Sequence, residues 1–443
     1  MRRRGLAMIG VFALVVALAD PAPAADIHVG PGGNDLAEAV AQALPGDRLL
    51  LGPGVYAGPI VIDKSLTIEG TGGAIIDGGG VGSVIKVLAP DVSIRGLTLR
   101  NSGIKGENYD SGVYIEQGAD RPVVENNILD RNLFGIVLHG CNKAVVRDNR
   151  IAGRDDLWLN DRGNGIHIWN STGSLIGGNT VEGGRDGIYI EISNDNVISG
   201  NRFDELRYAI HYMYANRNEI TDNVSIRNHV GFALMYSDHL KVLRNVSISD
   251  LQHGLMLHTV HNSEAAGNYI YGTGVKCLFV YTAANNDIHD NRLENCGVGM
   301  HFTGGSENNK VYGNQFIGAE MQVKYTGTRP YEWSKDGRGN YWSDNPAFDL
   351  DGDGIADTAY RPNTLVDWVL WKYPLAKLLV SSPAIQTLRY VQEQFPTLYP
   401  GGAVDSFPLM GPGAAPVQLP KHVDLTPAPR DPAQMDSDTR PTM

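Results

Sequence analysis

The chain has 443 residues, a formal net charge of -12 and 53 glycines, and only 19% of its residues are charged. The glycine content indicates many tight turns rather than a helical bundle. The negative charge and the lack of a basic stripe exclude nucleic acid as a partner, because binding its backbone needs Lys and Arg against the phosphates.

Residues 1–24 have the parts of a secretory signal. The arginines at 2–4 are followed by the apolar run Leu6–Ala19 and by small residues and prolines up to Ala24. We expect cleavage near Ala25 and a periplasmic mature protein. Later apolar runs are too short to cross a bilayer, so we expect a soluble mature chain unless a partner holds it at the membrane.

A helical cap is expected before the first repeat. Residues 34–44 begin with Asn34 as an N-cap and continue as an Ala-rich amphipathic run. Such a helix would cover the open edge of the first coil.

The region 25–330 is dominated by a repeat of 22 or 23 residues, with one interval of 30. Its short apolar segments start at Gly135, Gly165, Gly187, Ala209, Gly231, Gly254, Cys277 and Gly299. An asparagine keeps step with them at 127, 149, 179, 201, 223, 245, 268, 291 and 314. This spacing is typical of a solenoid, and we predict an all-β fold, a right-handed parallel β-helix of about a dozen coils.

The asparagine column has two interpretations. The side-chain amides form a ladder in which each amide donates to the next, as in other stacked β structure. Alternatively, the asparagines are turn residues that are tolerated for their left-handed backbone.

Three cysteines give an odd number for an oxidising compartment, so at least one thiol is free or pairs outside the chain. Cys277 and Cys296 fall on neighbouring coils but about three residues out of register, which is roughly 10 Å of strand. We therefore expect no disulfide between them. Cys141, close to His139, is a minor copper candidate if exposed, against the simpler interpretation of a buried thiol in a turn.

The long interval adds a loop within residues 153–163 that carries Trp158. An aromatic side chain at the tip of a loop is a candidate contact for a partner protein. The alternative is a loop that folds back on its own coil.

The outer face of the repeated segments carries the candidate chemistry. If the second and fourth residues of each segment point inward, the third and fifth point outward. Those outward positions hold few Lys or Arg, which indicates a binding face. They include His211, Met213, Met235, Met256 and His258 on three consecutive coils.

Thioether and imidazole are the ligands that Cu(I) prefers, so these five residues form a candidate copper site. Two alternatives remain open from the residues alone. The face is a groove for sugar rings, with Trp169 and Tyr189 as stacking platforms, or it is a surface for docking a protein. We find no catalytic carboxylate cluster, nucleophile elbow, phosphate loop or closed zinc spacing, which weakens the case for a sugar-cleaving or epimerising enzyme.

The region 331–374 is expected to cap the other end of the rod. It contains a calcium-type loop with Asp349, Asp351, Asp353 and Asp357 at positions 1, 3, 5 and 9, Ile355 at position 7 and glycine at position 6. Position 12 is Tyr360, so the usual bidentate Glu is missing. The loop is a candidate for a structural calcium ion, against a plain Asp/Gly turn.

The region 375–410, preceded by Trp368 and Trp371, is apolar and partly helical. With no coil left to pack on, we expect these tryptophans and the arm to dock a partner. The final Pro-rich stretch, 411–443, is expected to be disordered.

Taken together, these features resemble the NosD-type maturation proteins of nitrous oxide reductase. The matching parts are the exported solenoid, the opening stretch 45–56, the Gly-Asn-Tyr-Trp run at 339–342 before the Asp-rich loop, and the arm from Pro374. The resemblance covers residues 26–410.

The resemblance implies a non-catalytic periplasmic protein of denitrification that is docked on an ABC-transporter permease with its ATPase. It implies that a copper chaperone supplies the metal and that nitrous oxide reductase receives copper, a sulfur species or both for its copper centre. These implications favour copper handling over the alternative, a carbohydrate-binding or carbohydrate-modifying β-helix of the lyase or epimerase type.

Overall fold

The computed structural model describes residues 24–32, 35–325, 329–379, 382–395, 401–421 and 423–429. The expected secretory signal up to residue 23 and the expected N-cap Asn34 lie outside the described residues. Within the described ranges, no helix is both long enough and apolar enough to span a bilayer.

The chain winds into a parallel β-solenoid with three sheets, which confirms the predicted β-helix. Sheet 1 contains Asp26–Val29, Arg48–Leu51, Thr67–Gly70, Ser93–Arg95, Val123–Glu125, Val145–Arg147, Leu175–Gly177, Val197–Ser199, Glu219–Thr221, Lys241–Leu243, Glu264–Ala266, Asp287–His289 and Lys310–Tyr312. Sheet 2 contains Ile60–Ile62, Ile85–Val87, Ser111–Ile115, Phe134–His139, Ile166–Trp169, Asp186–Glu191, Tyr208–Met213, Val230–Asp238, His253–His261, Lys276–Tyr281, Val298–Phe302 and Met321–Tyr325. Sheet 3 contains Gly54–Ala57, Ala74–Asp77, Thr98–Arg100, Ile128–Asp130, Arg150–Ala152, Thr180–Glu182, Arg202–Asp204, Val224–Ile226, Val246–Ile248, Tyr269–Tyr271, Arg292–Glu294, Gln315–Ile317 and Tyr341–Trp342.

Sheet 2 has the register that the repeat predicts. Ile210 pairs with Ile188 on one side and with Phe232 on the other, and Tyr212 pairs with Ile190 and Leu234 in the same way. These side chains are buried in the continuous interior of the rod. Because every coil supplies apolar residues at these positions, stacking the coils removes their surface from water, and this burial stabilises the rod.

The asparagine column forms the predicted amide ladder. Asn201 Nδ2 donates to Asn223 Oδ1 at 3.0 Å, and Asn223 Nδ2 donates to Asn245 Oδ1 at 3.0 Å. The left-handed backbone belongs instead to the preceding residue, for example Asp222 with φ 57° and Arg244 with φ 54°. The asparagines are therefore ladder members, and the interpretation as left-handed turn residues is wrong.

Sheet 2 breaks strict alternation at Gly231, where the pairing with both neighbouring coils skips one residue. Val230 lies in an outer apolar cluster and Phe232 in the core, with Gly231 between them. A Cβ at Gly231 would lie 2.3 Å from the carbonyl oxygen of Gly254 on the next coil, so only glycine fits this close approach. The residue before that glycine therefore points outward and adds a column to the outer face.

The structure contains a disulfide between Cys277 and Cys296, so the expectation of no disulfide was wrong. Both residues are buried, and their Cα atoms are 5.6 Å apart. The error came from measuring along a straight strand. The chain turns at Asn295, whose φ is 55°, and this turn brings Cys296 to the core position next to Cys277.

Both ends of the rod are covered. The helix α1 (Asp35–Gln42) buries Leu36 and Val40 against the first coils. At the far end Trp342 stacks on Phe316 with ring centroids 4.2 Å apart, and a small sheet of Tyr331–Glu332 and Ala403–Val404 adds to the cap.

Two helices follow the cap. The helix α2 (Leu365–Lys372) begins at Thr364, whose side chain accepts a hydrogen bond from Asp367 N in a capping box. A 3-10 segment, Pro374–Leu379, leads to the helix α3 (Pro383–Gln394). Their apolar side chains are not all covered, since Leu375 is 84% and Leu378 is 87% exposed. The shorter 3-10 segments are Gly106–Asn108 and Leu159–Asp161.

Part of the tail that we expected to be disordered lies on sheet 3. Val417, Leu419 and Val423 pack against a buried cluster that includes Ile226 and Ile248. Thr426 O accepts a hydrogen bond from Ser249 Oγ at 2.6 Å, and Ala428 N donates to Gly272 O at 2.7 Å. Three apolar side chains within a Pro-rich sequence are enough to cover an apolar strip on the rod, and composition alone does not reveal this.

Candidate metal centre

The five candidate copper ligands lie on adjacent strands of sheet 2 in the predicted register. Met213 pairs with Met235 and Met235 pairs with His258, which places them in one column. In the parallel column Ala233 separates His211 from Met256. Because neighbouring coils are about 4.8 Å apart, long methionine side chains from three coils can converge on one ion.

These residues point away from the interior but are largely shielded from solvent. Met235 and Met256 belong to an outer cluster that is separate from the rod core, and Met213 packs against that cluster. The exposed fraction is 5% for His211, 3% for Met235, 1% for Met256 and 4% for His258. A neutral, soft ligand set in such surroundings favours Cu(I) over a hydrated dication.

Aromatic rings flank both histidines. The His258 ring centroid lies 4.9 Å from the ring centroids of Tyr236 and Tyr281. The His211 ring centroid lies 4.9 Å from that of Tyr208 and 5.0 Å from that of Tyr189. The rings hold the imidazoles in place and keep water away from them.

The buried carboxylate of Asp186 lies beside the Nδ1 edge of the His211 ring. The ring Nδ1 lies 3.2 Å from Asp186 Oδ2, and Arg207 grips the same carboxylate with Nε at 2.8 Å and Nη2 at 2.6 Å. Burial alone would raise the pKa of Asp186, but the hydrogen bonds and charges of His211 and Arg207 outweigh it and lower that pKa. The other ring nitrogen, His211 Nε2, is buried and has no hydrogen-bond partner within the described ranges.

Sequence reasoning missed Asp186 and Tyr208 as parts of this face. Both precede the repeated segment by one residue, where the alternation breaks. The position was visible in the sequence, because the residue before each segment's glycine recurs with the same spacing. Alternation alone predicts that this residue points inward.

Two further histidines on this face, His167 and His253, are uncharged at neutral pH. Burial, aided by the charges of His139 and Arg185, lowers the pKa of His167 to about 4. Burial and the charge of Lys276 lower the pKa of His253 well below its ordinary value. Both are therefore neutral imidazoles, the form that can bind a metal ion.

Of the two interpretations of Cys141, an exposed copper ligand or a buried thiol, the structure supports the buried thiol. It lies in the rod interior, and burial raises its pKa to about 12. It is therefore not a thiolate at neutral pH and is poorly suited to bind copper.

Trp169 and Tyr189, the two candidates for stacking a sugar ring, each already have a histidine ring stacked on one face. Trp169 stacks on His139 with centroids 4.5 Å apart, and Tyr189 stacks on His167 with centroids 5.0 Å apart. A groove of about 680 Å³ lies on sheet 1 instead, beside His289 and Tyr312. These contacts leave less of the two rings free for a sugar to stack on.

The structure brings together three of the calcium candidates. Oxygen atoms of Asp349, Asp351 and Asp353 lie within 4.8 Å of one another. Asp357 instead accepts a hydrogen bond from Leu350 N at 2.9 Å. Ile355 N donates to Asp353 Oδ1 at 2.8 Å, so the loop is already closed by its own hydrogen bonds.

The three tryptophans expected to dock partners do not form one surface. Trp158 is 86% exposed on the loop before the strand Ile166–Trp169, whereas Trp368 and Trp371 belong to α2 beyond the last coil. Seven coil spacings separate the two places, which is roughly 34 Å. Any partners at these positions would therefore occupy different parts of the rod.

Comparison with known proteins gives a consistent set of relatives. A family model described as "Periplasmic copper-binding protein (NosD)" matches residues 153–347. A Pseudomonas aeruginosa protein named "Probable ABC transporter binding protein NosD" is 44% identical over 376 residues, covering 82% of this chain and 88% of that protein. A Stutzerimonas stutzeri protein of the same name is 40% identical over 378 residues, covering 82% of this chain and 87% of that protein.

Solved structures share the fold at low identity. A Yersinia enterocolitica family 28 exopolygalacturonase has a TM-score of 0.54 and 11% identity, covering 71% of this chain and 78% of its own. A PL6 alginate lyase in complex with a trisaccharide has a TM-score of 0.52 and 13% identity, covering 71% of this chain and 90% of its own. At such identities the likeness concerns the fold alone.

Proposed function

Because this chain belongs to the NosD family, we propose that it binds Cu(I) on sheet 2 and delivers it for maturation of nitrous oxide reductase. In this proposal the chain is a non-catalytic periplasmic protein. The observation that carries the proposal is the column of Met213, Met235 and His258 on three consecutive coils, beside His211 and Met256.

The ligand set suits a delivery protein. Thioethers are neutral and exchange readily, so methionine ligands can hold Cu(I) and still release it to a stronger acceptor. The small Ala233 between His211 and Met256 leaves the centre of the cluster without a bulky side chain. The flanking tyrosines limit access of water and oxidants.

An anaerobic Cu(I) titration against a competing chelator tests the site. We expect binding by the unmodified protein and at least a hundredfold loss of affinity in the variant Met213→Ala/Met235→Ala/His258→Ala. The control is His239→Ala/Met410→Ala, which removes exposed residues of the same types from other parts of the surface. Equal affinity of the triple variant and the control would remove the site.

We propose that the arm around α2 and α3 docks on the permease of an ABC transporter, with its ATPase on the other side of the membrane. The support is the exposed apolar surface of Leu375, Leu378 and Tyr390. Leu375→Glu/Leu378→Glu should abolish co-purification with the permease in membranes and leave Cu(I) affinity unchanged. Retained co-purification would place the contact elsewhere.

We propose that Trp158 contacts the copper chaperone that loads the rod. A large, exposed aromatic side chain on a loop is a typical anchor for a transient partner. Trp158→Ala should slow transfer of Cu(I) from the loaded chaperone without changing the equilibrium affinity for free Cu(I). An unchanged transfer rate would contradict this role.

We also propose that Asp349, Asp351 and Asp353 hold a structural calcium ion. Their oxygen atoms are close together, and calcium prefers such oxygen ligands. Calorimetry on chelator-treated protein should show calcium binding and a rise in melting temperature that Asp351→Asn/Asp353→Asn removes. No heat and no change in melting temperature would identify a plain turn.

A further inference from the structure

We propose that Asp186 is a positioning residue that fixes the tautomer of His211, so that Nε2 of His211 is the preformed nitrogen ligand of the copper site. This inference rests on the proposed function, and its geometry can be tested separately. Asp186 lies at the start of its strand, one coil before His211, and its side chain is fully buried.

The carboxylate cannot turn away from His211. Arg207 donates to both of its oxygens, from Nε to Oδ1 at 2.8 Å and from Nη2 to Oδ2 at 2.6 Å. His211 Nδ1 lies 3.2 Å from Oδ2. Arg207 Nη2 also lies 3.3 Å from Nδ1, but it already donates to Oδ2 at 2.6 Å, so the carboxylate oxygen is the partner of Nδ1. A carboxylate accepts hydrogen bonds and does not donate them, so a neutral imidazole here carries its proton on Nδ1. Nε2 therefore presents its lone pair.

Nε2 of His211 is buried and lacks a hydrogen-bond partner among the residues that the structure describes. His139, His167 and His253 also have a buried ring nitrogen without a partner among the described residues, but His211 is the one aligned with Ala233 and Met256 in the ligand column. A buried polar atom without a partner is costly and points to a ligand. Metal-binding histidines usually donate their second N–H to a carboxylate or carbonyl in this way.

His167 shows the opposite arrangement on the same face. The amide Nδ2 of Asn164 lies 3.1 Å from His167 Nδ1. An amide N–H donates, so Nδ1 of His167 accepts and the proton is on Nε2. Asn164 lies on the same coil as His167, whereas Asp186 lies one coil before His211, so the two histidines take partners of opposite hydrogen-bonding character from different coils.

The test uses the full chain with ¹⁵N-labelled histidine in the absence of metal. The unmodified protein should show His211 protonated on Nδ1 with a non-protonated Nε2. In Asp186→Asn the tautomer should change, and Cu(I) affinity should fall by about 10- to 100-fold. Asp186→Glu, which keeps an acceptor, should restore the tautomer and part of the affinity.

Asp204→Asn is the matched control, because Asp204 also pairs with an arginine, Arg227, at 2.7 Å but does not contact the histidines. A proton on Nε2 of His211 in the unmodified protein would overturn the inference, even if copper binds and even if Asp186→Asn fails to fold. An altered tautomer with unchanged Cu(I) affinity would overturn it as well. Failure of the ligand variants with the Nδ1 tautomer intact would instead count against the copper site itself.

Discussion

Asp250 occupies the interior position that Asn228 holds on the preceding coil, and its carboxylate accepts a hydrogen bond from Asn228 N at 2.8 Å. Hydroxyl groups of Ser225 and Ser247 also donate to it, at 2.8 and 2.6 Å to Oδ2. Burial raises the pKa of Asp250 to about 7, although these hydrogen bonds oppose the rise.

This pKa makes stability depend on pH. Between about pH 4 and pH 7 the folded chain holds a proton on Asp250 that the unfolded chain has released, so the free energy of unfolding falls as pH rises. The contribution is at most about 4 kcal/mol. Asp250→Asn should match the unmodified protein near pH 4 and become increasingly more stable than it up to pH 8. The exposed Asp63→Asn is the control, and equal pH profiles of all three proteins would contradict the prediction.

Removing one rung of the amide ladder should weaken the rod. Asn223 donates to Ile198 O and Asn245 Oδ1 and accepts from Asn201, so Asn223→Ala leaves several buried groups without partners. We expect a loss of about 2–4 kcal/mol, which chemical denaturation can measure. Asn160→Ala, in the exposed loop, should change stability little. A similar effect of both substitutions would mean that the ladder adds no stability.

Loss of the disulfide should destabilise the chain and leave copper binding unchanged. The bond joins residues separated by 19 positions, for which loop-closure entropy predicts about 3 kcal/mol. Cys277→Ala/Cys296→Ala should therefore melt at a lower temperature. Its Cu(I) affinity should equal that of the unmodified protein, because both sulfurs lie in the interior. If the fully folded variant bound Cu(I) more weakly than the unmodified protein, the disulfide and the outer face of sheet 2 would be coupled, which contradicts the prediction.

The tail segment on sheet 3 should contribute to stability. Val417→Asp/Leu419→Asp places charges against the buried Ile226 and Ile248 and should cost about 1 kcal/mol for each side chain. Hydrogen exchange at the strands Val224–Ile226 and Val246–Ile248 should rise. Unchanged exchange would mean that the tail does not cover these strands in solution.

Filling the centre of the ligand cluster should block copper without removing a ligand. Ala233 lies between His211 and Met256, so Ala233→Leu inserts a branched side chain where the ion would bind. We expect at least a tenfold loss of Cu(I) affinity, together with a destabilisation of about 1–3 kcal/mol because Ala233 is buried in the outer cluster. The control is Ala266→Leu on sheet 1. Unchanged affinity in Ala233→Leu would place the ion elsewhere.

The sequence predicted the rod, the register and the ligand columns, because a fixed repeat and an alternating pattern determine which residues align on neighbouring coils. It did not predict the contact between Asp186 and His211, because the extra residue at Gly187 reverses the direction of the side chain before it. It also missed the disulfide, which depends on a turn at Asn295, and the packing of Val417 and Leu419, which depends on contacts distant in the chain.

The most direct test of the copper site is X-ray absorption at the copper edge on Cu(I)-loaded protein. We expect a mixed shell of sulfur and nitrogen ligands in the unmodified protein. In Met213→Ala/Met235→Ala/Met256→Ala the sulfur contribution should disappear, and in His211→Ala/His258→Ala the imidazole contribution should disappear. A shell without sulfur in the unmodified protein, or spectra that these substitutions do not change, would contradict the assignment of this face as the copper site.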